Sequence, residues 1–335
     1  AGLTVKTSNV CSEITLPTGI DKFGKERTAV CCLSSLNIET YDEWKDQNGF
    51  IEDVMRFLDN VLTDFITRAP NSFKDATYAA MRERSVGLGV MGFHSFLQKN
   101  NIPFESVMAK AWNNKIFKQI DKQTTEASKK LAEERGPCPD AKDYGVMERF
   151  SNKTAIAPTA SISIICGGAS PGIEPIAANS YTHKTLSGSF NVKNKYLKRL
   201  LQKHNKDNNE TWSSITTNQG SIMHLDFLTD NEKDVFKTAF ELDQRWLIDH
   251  SADRTPHITQ AQSLNIFLPA DVHKRDLHQI HYQAWKKGLK SLYYCRSKSI
   301  QRAEVVNTTV AKATKTKGNN NNEDNNNYEE CLSCQ

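Results

Sequence analysis

At 335 residues, with 38% apolar side chains and a mean hydropathy of -0.58, the chain has material for one large domain or two ordinary ones. Its 43 basic and 39 acidic residues leave a formal charge of +4, which suits an anionic small substrate and does not call for nucleic acid. With no run of 18 apolar residues and no apolar signal core, a membrane span or export is not expected, and the eight cysteines read as reduced cytoplasmic thiols.

In chain order, short apolar runs broken by Pro17, Gly19 and Gly24 predict strands or extended loops around Val10–Leu16 and Thr28–Leu36. Residues Tyr41–Asn101 are helical in pattern, with Ile51, Val54, Met55, Leu58, Val61, Leu62, Phe65 and Ile66 recurring at three and four. A second helix is predicted over Ala109–Arg135, ended by Gly136-Pro137. Thr154–Ala157 reads as a buried strand followed by a Ser-rich turn. Helices are expected at Tyr196–Gln202, Lys233–Ile248 and Asp271–Leu289, and strands at Ser263–Leu268 and Ser291–Cys295. Strands alternating with helices predict an α/β fold with a mainly parallel sheet or barrel. From Lys315 the composition turns Asn-rich and acidic, so residues 315–335 are expected to form a disordered tail after a folded body of 1–314. A tether over Thr316–Glu330 has an r.m.s. reach of roughly 20 Å, which lets the terminal Cys331-x-x-Cys334 pair visit the body.

Several motifs carry chemistry. Gly87-Leu88-Gly89-Val90-Met91-Gly92 fits a dinucleotide fingerprint, but a predicted helix precedes it where a strand is required; close packing of a helix on the sheet is the preferred reading. For Cys331 and Cys334, thiol–disulfide exchange on a mobile arm competes with a zinc site, which lacks a second CxxC pair. Pro158-Thr159-Ala160-Ser161-Ile162-Ser163 is either an anion-binding turn or an ordinary Ser/Thr cap. Tyr293-Tyr294 on a strand is expected to point to opposite faces. On an extended segment Asn9, Cys11 and Glu13 would share one face and bring amide, thiol and carboxylate into one site, although an inert buried cysteine is the bland alternative.

Taken together and in order, these pieces resemble the large catalytic subunit of class I ribonucleoside-diphosphate reductase, of the class Ia, bacterial or bacteriophage-like kind. The resemblance rests on Asn9-Val10-Cys11-Ser12-Glu13-Ile14, Val30-Cys31-Cys32-Leu33-Ser34-Ser35-Leu36-Asn37, Arg84–Val90, Ala157–Ser161, Gly172-Ile173-Glu174-Pro175, Gln262-Ser263-Leu264-Asn265, Leu292-Tyr293-Tyr294 and the terminal dithiol. It implies the second half of a ten-stranded α/β barrel with a central finger loop. The first half, with one reducing cysteine and the nucleotide effector sites, would be supplied by a separate N-terminal half. The opening Ala1-Gly2 fits removal of an initiator Met, so a separately encoded half is favoured over an excised piece.

By the same resemblance, Cys11 carries the thiyl radical, Glu13 is the base toward the 3′-hydroxyl, and Asn9 hydrogen-bonds ribose oxygens. Cys31 is favoured over Cys32 as a reducing cysteine. The substrate diphosphate sits on Pro158, Thr159, Ala160, Ser161 and Ile162, and Tyr293 and Tyr294 relay the radical. A small subunit would hold the di-iron centre and tyrosyl radical, with no metal or cofactor held by this chain. Cys331 and Cys334 would reduce the active-site disulfide and be recycled by glutaredoxin or thioredoxin. The alternatives are a non-catalytic assembly or regulatory relative, and a standalone thiol redox or zinc module.

Overall fold

Five extended segments lie side by side in chain order in the computed structural model, which describes residues 2–185 and 188–298. After a small antiparallel hairpin, β1 (Gly19–Ile20) with β2 (Glu26–Arg27), strand β3 (Cys32–Asn37) pairs in parallel with β4 (Val86–Met91). The next segment, 153–156, joins β4 through a parallel bridge between Leu88 and Thr154, and joins the following segment through Ile156 and Gln262. That segment runs into β7 (Ile266–Pro269), which pairs in parallel with β8 (Cys295–Lys298). Between the third and fourth segments stands an antiparallel hairpin, β5 (Ser180–Thr185) with β6 (Gly188–Lys193). Helices fill every crossover between neighbouring parallel segments. The result is an α/β half-barrel, and among the described residues neither β3 nor β8 has a strand on its outer edge. Those edges present unpaired backbone groups.

The predicted helix periodicity holds. The Phe50–Arg68 helix buries Ile51, Met55, Leu58 and Leu62 against Val86, Leu88 and Val90 of β4. Leu58 and Leu62 are essentially fully buried, so truncating either to Ala would cost about 2–5 kcal/mol. The Val107–Arg135 helix starts where the Ser106 hydroxyl accepts from the Ala109 N–H and stops at Gly136, whose φ of 84° no other residue adopts cheaply.

Three expectations change. Val86–Met91 is a central strand, not part of a helical stretch, because its alternation of Val and Leu with Gly fits a sheet with one crowded face. A Cβ on Gly89 would lie 2.3 Å from the Ala155 carbonyl oxygen, and one on Gly87 would lie 3.3 Å from the Cys31 sulfur. The glycines therefore serve close strand packing, and the fingerprint reading stays rejected. The predicted Lys233–Ile248 helix is two helices, Asp230–Val235 and Gln244–Arg254. The intervening turn is held by the Gln244 amide, which donates to the carbonyls of Ala239 and Leu242. Regular strand pairing begins later than predicted in the last two strands, at Ile266 and Cys295, because the residues before them bend toward the interior loop described below. Residues 10–16 form a loop, the second of the two alternatives expected there.

Charged groups in the scaffold are buried in opposite-sign clusters. Asp59, with no exposed surface, accepts from Arg84, Arg135 and Arg149. Arg27 is likewise enclosed by Asp21, Glu83 and Asp140. No helix among the described residues is long and apolar enough to cross a membrane. The tail 315–335, with Cys331 and Cys334, lies outside the described residues.

Candidate active site

A loop from Asn9 to Ile14 packs between the fourth strand segment and the segment before β8. It is a tight turn: the Ser12 N–H donates to the Asn9 carbonyl at 3.0 Å, and Ser12 takes a φ of 66°. The expectation that Asn9, Cys11 and Glu13 share one face of an extended segment is therefore wrong in its geometry. Cys11 and Glu13 are nonetheless both buried, at 4% and 2% exposure, because the turn folds them inward. Asn9 has a local duty as well: its side-chain oxygen accepts from the Ile14 N–H at 3.0 Å. Only its amide N–H groups remain for a ligand.

The fourth strand segment anchors this loop. The Ala261 N–H donates to the Glu13 carbonyl at 2.8 Å. The Ser263 hydroxyl faces both the Cys11 carbonyl oxygen and a Glu13 carboxylate oxygen, the latter at 3.2 Å. The loop's other wall is the segment before β8, where the Ser291 hydroxyl donates to the Ser12 carbonyl at 2.9 Å. From the same segment the Tyr293 hydroxyl donates toward the Cys11 sulfur at 3.6 Å.

Tyr293 and Tyr294 do not diverge as alternate strand residues would. Their ring centroids are 4.1 Å apart at an interplanar angle of 41°. The segment is not yet regular strand at this point; its backbone is tied by Tyr293 N–H to Leu264 O and by Tyr294 N–H to the Asn265 side chain. Tyr294 is 46% exposed while Tyr293 is half-buried, so the pair runs from the surface to the sulfur. Burial, and then the contact with Cys11, hold the Tyr293 phenol well above its ordinary pKa.

Cys31 and Cys32 part company. Cys32 pairs with Val86 in the sheet and packs against the large apolar core. Cys31 receives the Gln260 side-chain N–H at 3.2 Å, and the Gln260 oxygen accepts from Thr15 N–H at the end of the loop. Burial pushes the Cys31 thiol up to about 12; the Gln260 N–H opposes this, while Cys32, Glu13 and Glu83 add to it.

The Pro158–Ile162 turn leaves the segment whose Ile156 bonds to Ala261 and Ser263, the two residues that hold Glu13. Thr159 takes a φ of 54°, and its hydroxyl oxygen accepts from Gly172 N–H at 2.7 Å. Among the described residues, the N–H groups of Ala160, Ser161 and Ile162 donate to no protein acceptor. Two residues beyond Gly172, the Glu174 carboxylate accepts from Asn265 N–H at 3.0 Å, with no cationic side chain bonded to it. Burial pushes Glu174 up to about 7. Ser263, Gln260, Glu174 and Asn265 had no role in the sequence reading. Three of the four lie in the very motifs that carried the resemblance, and their contacts join residues 29 or more positions apart. Among the described residues, no three His, Cys, Asp or Glu side chains converge as a metal site.

Comparison with known proteins places this arrangement. The family model described as "Ribonucleotide reductase, barrel domain" matches residues 2–144 and 139–295. The ribonucleoside-diphosphate reductase large subunit of Invertebrate iridescent virus 6 is 51% identical over 302 residues, covering 89% of this chain and 31% of that protein. The corresponding protein of Invertebrate iridescent virus 3 is 45% identical, covering 93% of this chain and 49% of that one. Among solved structures, the Actinobacillus ureae class Id ribonucleotide reductase alpha subunit superposes with a TM-score of 0.82 at 41% identity, over 90% of this chain and 55% of that one. Similarity thus extends to viral large subunits beyond the bacterial and bacteriophage members expected. The chain spans about half the length of these relatives, or less. With the barrel-domain model matched along nearly all of the described residues, the chain belongs to the ribonucleotide reductase barrel-domain family.

Proposed function

We propose that this chain supplies the radical-bearing and substrate-binding half of a ribonucleoside-diphosphate reductase large subunit. The observation that carries the reading is the line from exposed Tyr294 through Tyr293 to the buried Cys11 sulfur, with Glu13 fixed beside it. A partner small subunit, with its di-iron centre and tyrosyl radical, supplies the oxidising equivalent. In this chain Tyr294 and then Tyr293 pass it to Cys11. The Cys11 thiyl takes the ribose 3′-hydrogen, forming S–H as C–H breaks. Glu13 accepts the 3′-hydroxyl proton while the reducing thiol pair that includes Cys31 gives a proton to the 2′-hydroxyl, which departs as water, and the Asn9 amide donates to a ribose oxygen. A base within hydrogen-bond reach of its proton is what this step requires.

Cys31 and a second thiol on the N-terminal half then give up two electrons and their remaining proton, forming the new C2′–H bond as they close a disulfide; Glu13 returns its proton to the 3′-oxygen and Cys11 returns the 3′-hydrogen, which regenerates the thiyl. The substrate diphosphate is read mainly by the free N–H groups of Ala160, Ser161 and Ile162, which form a compact cluster of donors for an anion. The side chain at Ile162 is apolar and contributes only backbone. Cys331 and Cys334 are the proposed dithiol that reopens the disulfide, recycled in turn by glutaredoxin or thioredoxin. Support for an N-terminal partner comes from the open edges of β3 and β8 and from the length of the relatives. Nucleotide effectors are assigned to the N-terminal half.

The test is reassembly: this chain with an N-terminal half and a small subunit should convert a ribonucleoside diphosphate to its 2′-deoxy product. Cys11→Ser in that complex should abolish conversion with assembly intact. Unchanged turnover in the variant would sink the reading.

A further inference from the structure

Gln260 is 1% exposed and spends its whole side chain on three contacts. Its N–H groups face the Cys31 sulfur and the Val86 carbonyl, each at 3.2 Å, and its oxygen accepts from Thr15 N–H at 3.2 Å. Its own backbone N–H donates to the Thr154 carbonyl at 3.0 Å. One residue, by its side chain and its backbone N–H, thus ties together the cysteine segment, two strands and the end of the Asn9–Ile14 loop. Gly87 leaves the room for this, since a Cβ there would press on the same sulfur. The thiol's only other polar partner among the described residues is the Cys32 carbonyl, 3.9 Å away.

We propose that Gln260 is a positioning residue for re-reduction of the active-site disulfide, holding the Cys31 sulfur in register with the loop and stabilising Cys31 as the departing thiolate. The inference rests on the reductase reading above. Its chemistry does not depend on which sulfur an incoming dithiol attacks first. If the partner cysteine is attacked, a new S–S bond forms there, the old one breaks, and Cys31 leaves at once with the electron pair. If Cys31 is attacked, it forms the mixed disulfide. The second thiolate of the dithiol then closes on the first, and Cys31 leaves in that step. In either order Cys31 departs as a thiolate once per cycle and then takes a proton. Exchange is faster when the leaving thiolate is better stabilised. The setting is otherwise hostile to that charge: burial, Cys32, Glu13 from the loop and Glu83 from the Lys74–Glu83 helix all disfavour it, and no cationic side chain faces the sulfur. Among the described residues the Gln260 N–H is the group that works in the other direction.

The test reads Cys31 chemistry directly and needs no turnover. The full chain is treated with iodoacetamide across pH 7–11, and modification of Cys31 and Cys32 is followed separately by peptide mass spectrometry. Cys32 is an internal control, because Gln260 does not touch it. Gln260→Leu should slow Cys31 modification by about tenfold at every pH in this range, the consequence of a one-unit rise in pKa, with Cys32 unchanged. Gln260→Glu keeps an acceptor for Thr15 N–H and removes the donor to sulfur, and should slow Cys31 similarly; this variant decides the matter if Gln260→Leu does not fold. An unchanged Cys31 profile, or Cys31 and Cys32 accelerated together, overturns the assignment. Either result leaves the reductase reading standing, since that is tested by turnover and by Cys11→Ser.

Discussion

Two regions of this molecule bury charge in opposite ways. In the scaffold, Asp59 is surrounded by Arg84, Arg135 and Arg149, which together overcome burial and hold its carboxyl below the ordinary 3.8. Around the Cys11 loop the bonded partners are neutral. Glu13 has the Ser263 hydroxyl, Glu174 has Asn265, and Cys31 has Gln260. A carboxylate among arginines is locked in its charged form, whereas neutral donors impose no such lock on a buried acid or thiol. The contrast separates groups that hold the fold from groups placed to react.

Three substitutions sharpen it, and the largest effect is expected on catalysis. In the reassembled reductase, Glu13→Gln should lower turnover by roughly 10²–10⁴-fold, the range for loss of a general base, with little change in the urea midpoint of the chain. Turnover close to wild type would place Glu13 with the scaffold. Asp59→Asn should do the reverse. Its three arginines would face one another without an anion, costing about 3–5 kcal/mol in urea unfolding, and the Cys31 modification profile should stay as it is in folded protein. A loss below about 1 kcal/mol would mean that the cluster is not the lock described.

The third effect is smaller and has a defined sign. Burial raises Glu174 to about 7 from an ordinary 4.5, so the folded state holds that proton more tightly than the unfolded chain does. The associated stability is complete below pH 4.5, declines as pH rises toward 7, and then levels off, for a total of about 3 kcal/mol. Glu174→Gln keeps an acceptor for Asn265 N–H and should flatten this slope. Asp59 contributes with the opposite sign, through stability lost as pH falls below its unfolded value of 3.8. A wild-type melting temperature that does not change between pH 5 and 8, by calorimetry, would remove Glu174 from the comparison.

Much of the fold was legible in the chain. The three-and-four spacing from Ile51 to Ile66 and the Gly136 stop are local signals, and both helices formed where those signals lie. The errors share a cause. Val86–Met91 was absorbed into a helical stretch because glycines in a short apolar run carry no period; only the approach of Ala155 and Cys31 explains them. The Lys233–Ile248 helix broke where Gln244 found carbonyls within its own turn. The Asn9–Glu13 triplet was grouped for the wrong reason, since alternation was assumed where a turn with Ser12 at positive φ does the work.

Sequence alone determined the helices, the alternating α/β order and the motifs that mark the family, because each depends on residues a few positions apart. Tertiary structure decided which of two adjacent thiols faces the loop, that the paired tyrosine rings meet rather than diverge, and which neutral side chains hold Glu13, Glu174 and Cys31. Those outcomes depend on contacts between residues separated by 29 to 282 positions, such as Asn265 with Tyr294 and Tyr293 with Cys11. No local periodicity encodes such meetings, because they exist only once the parallel strands have closed side by side.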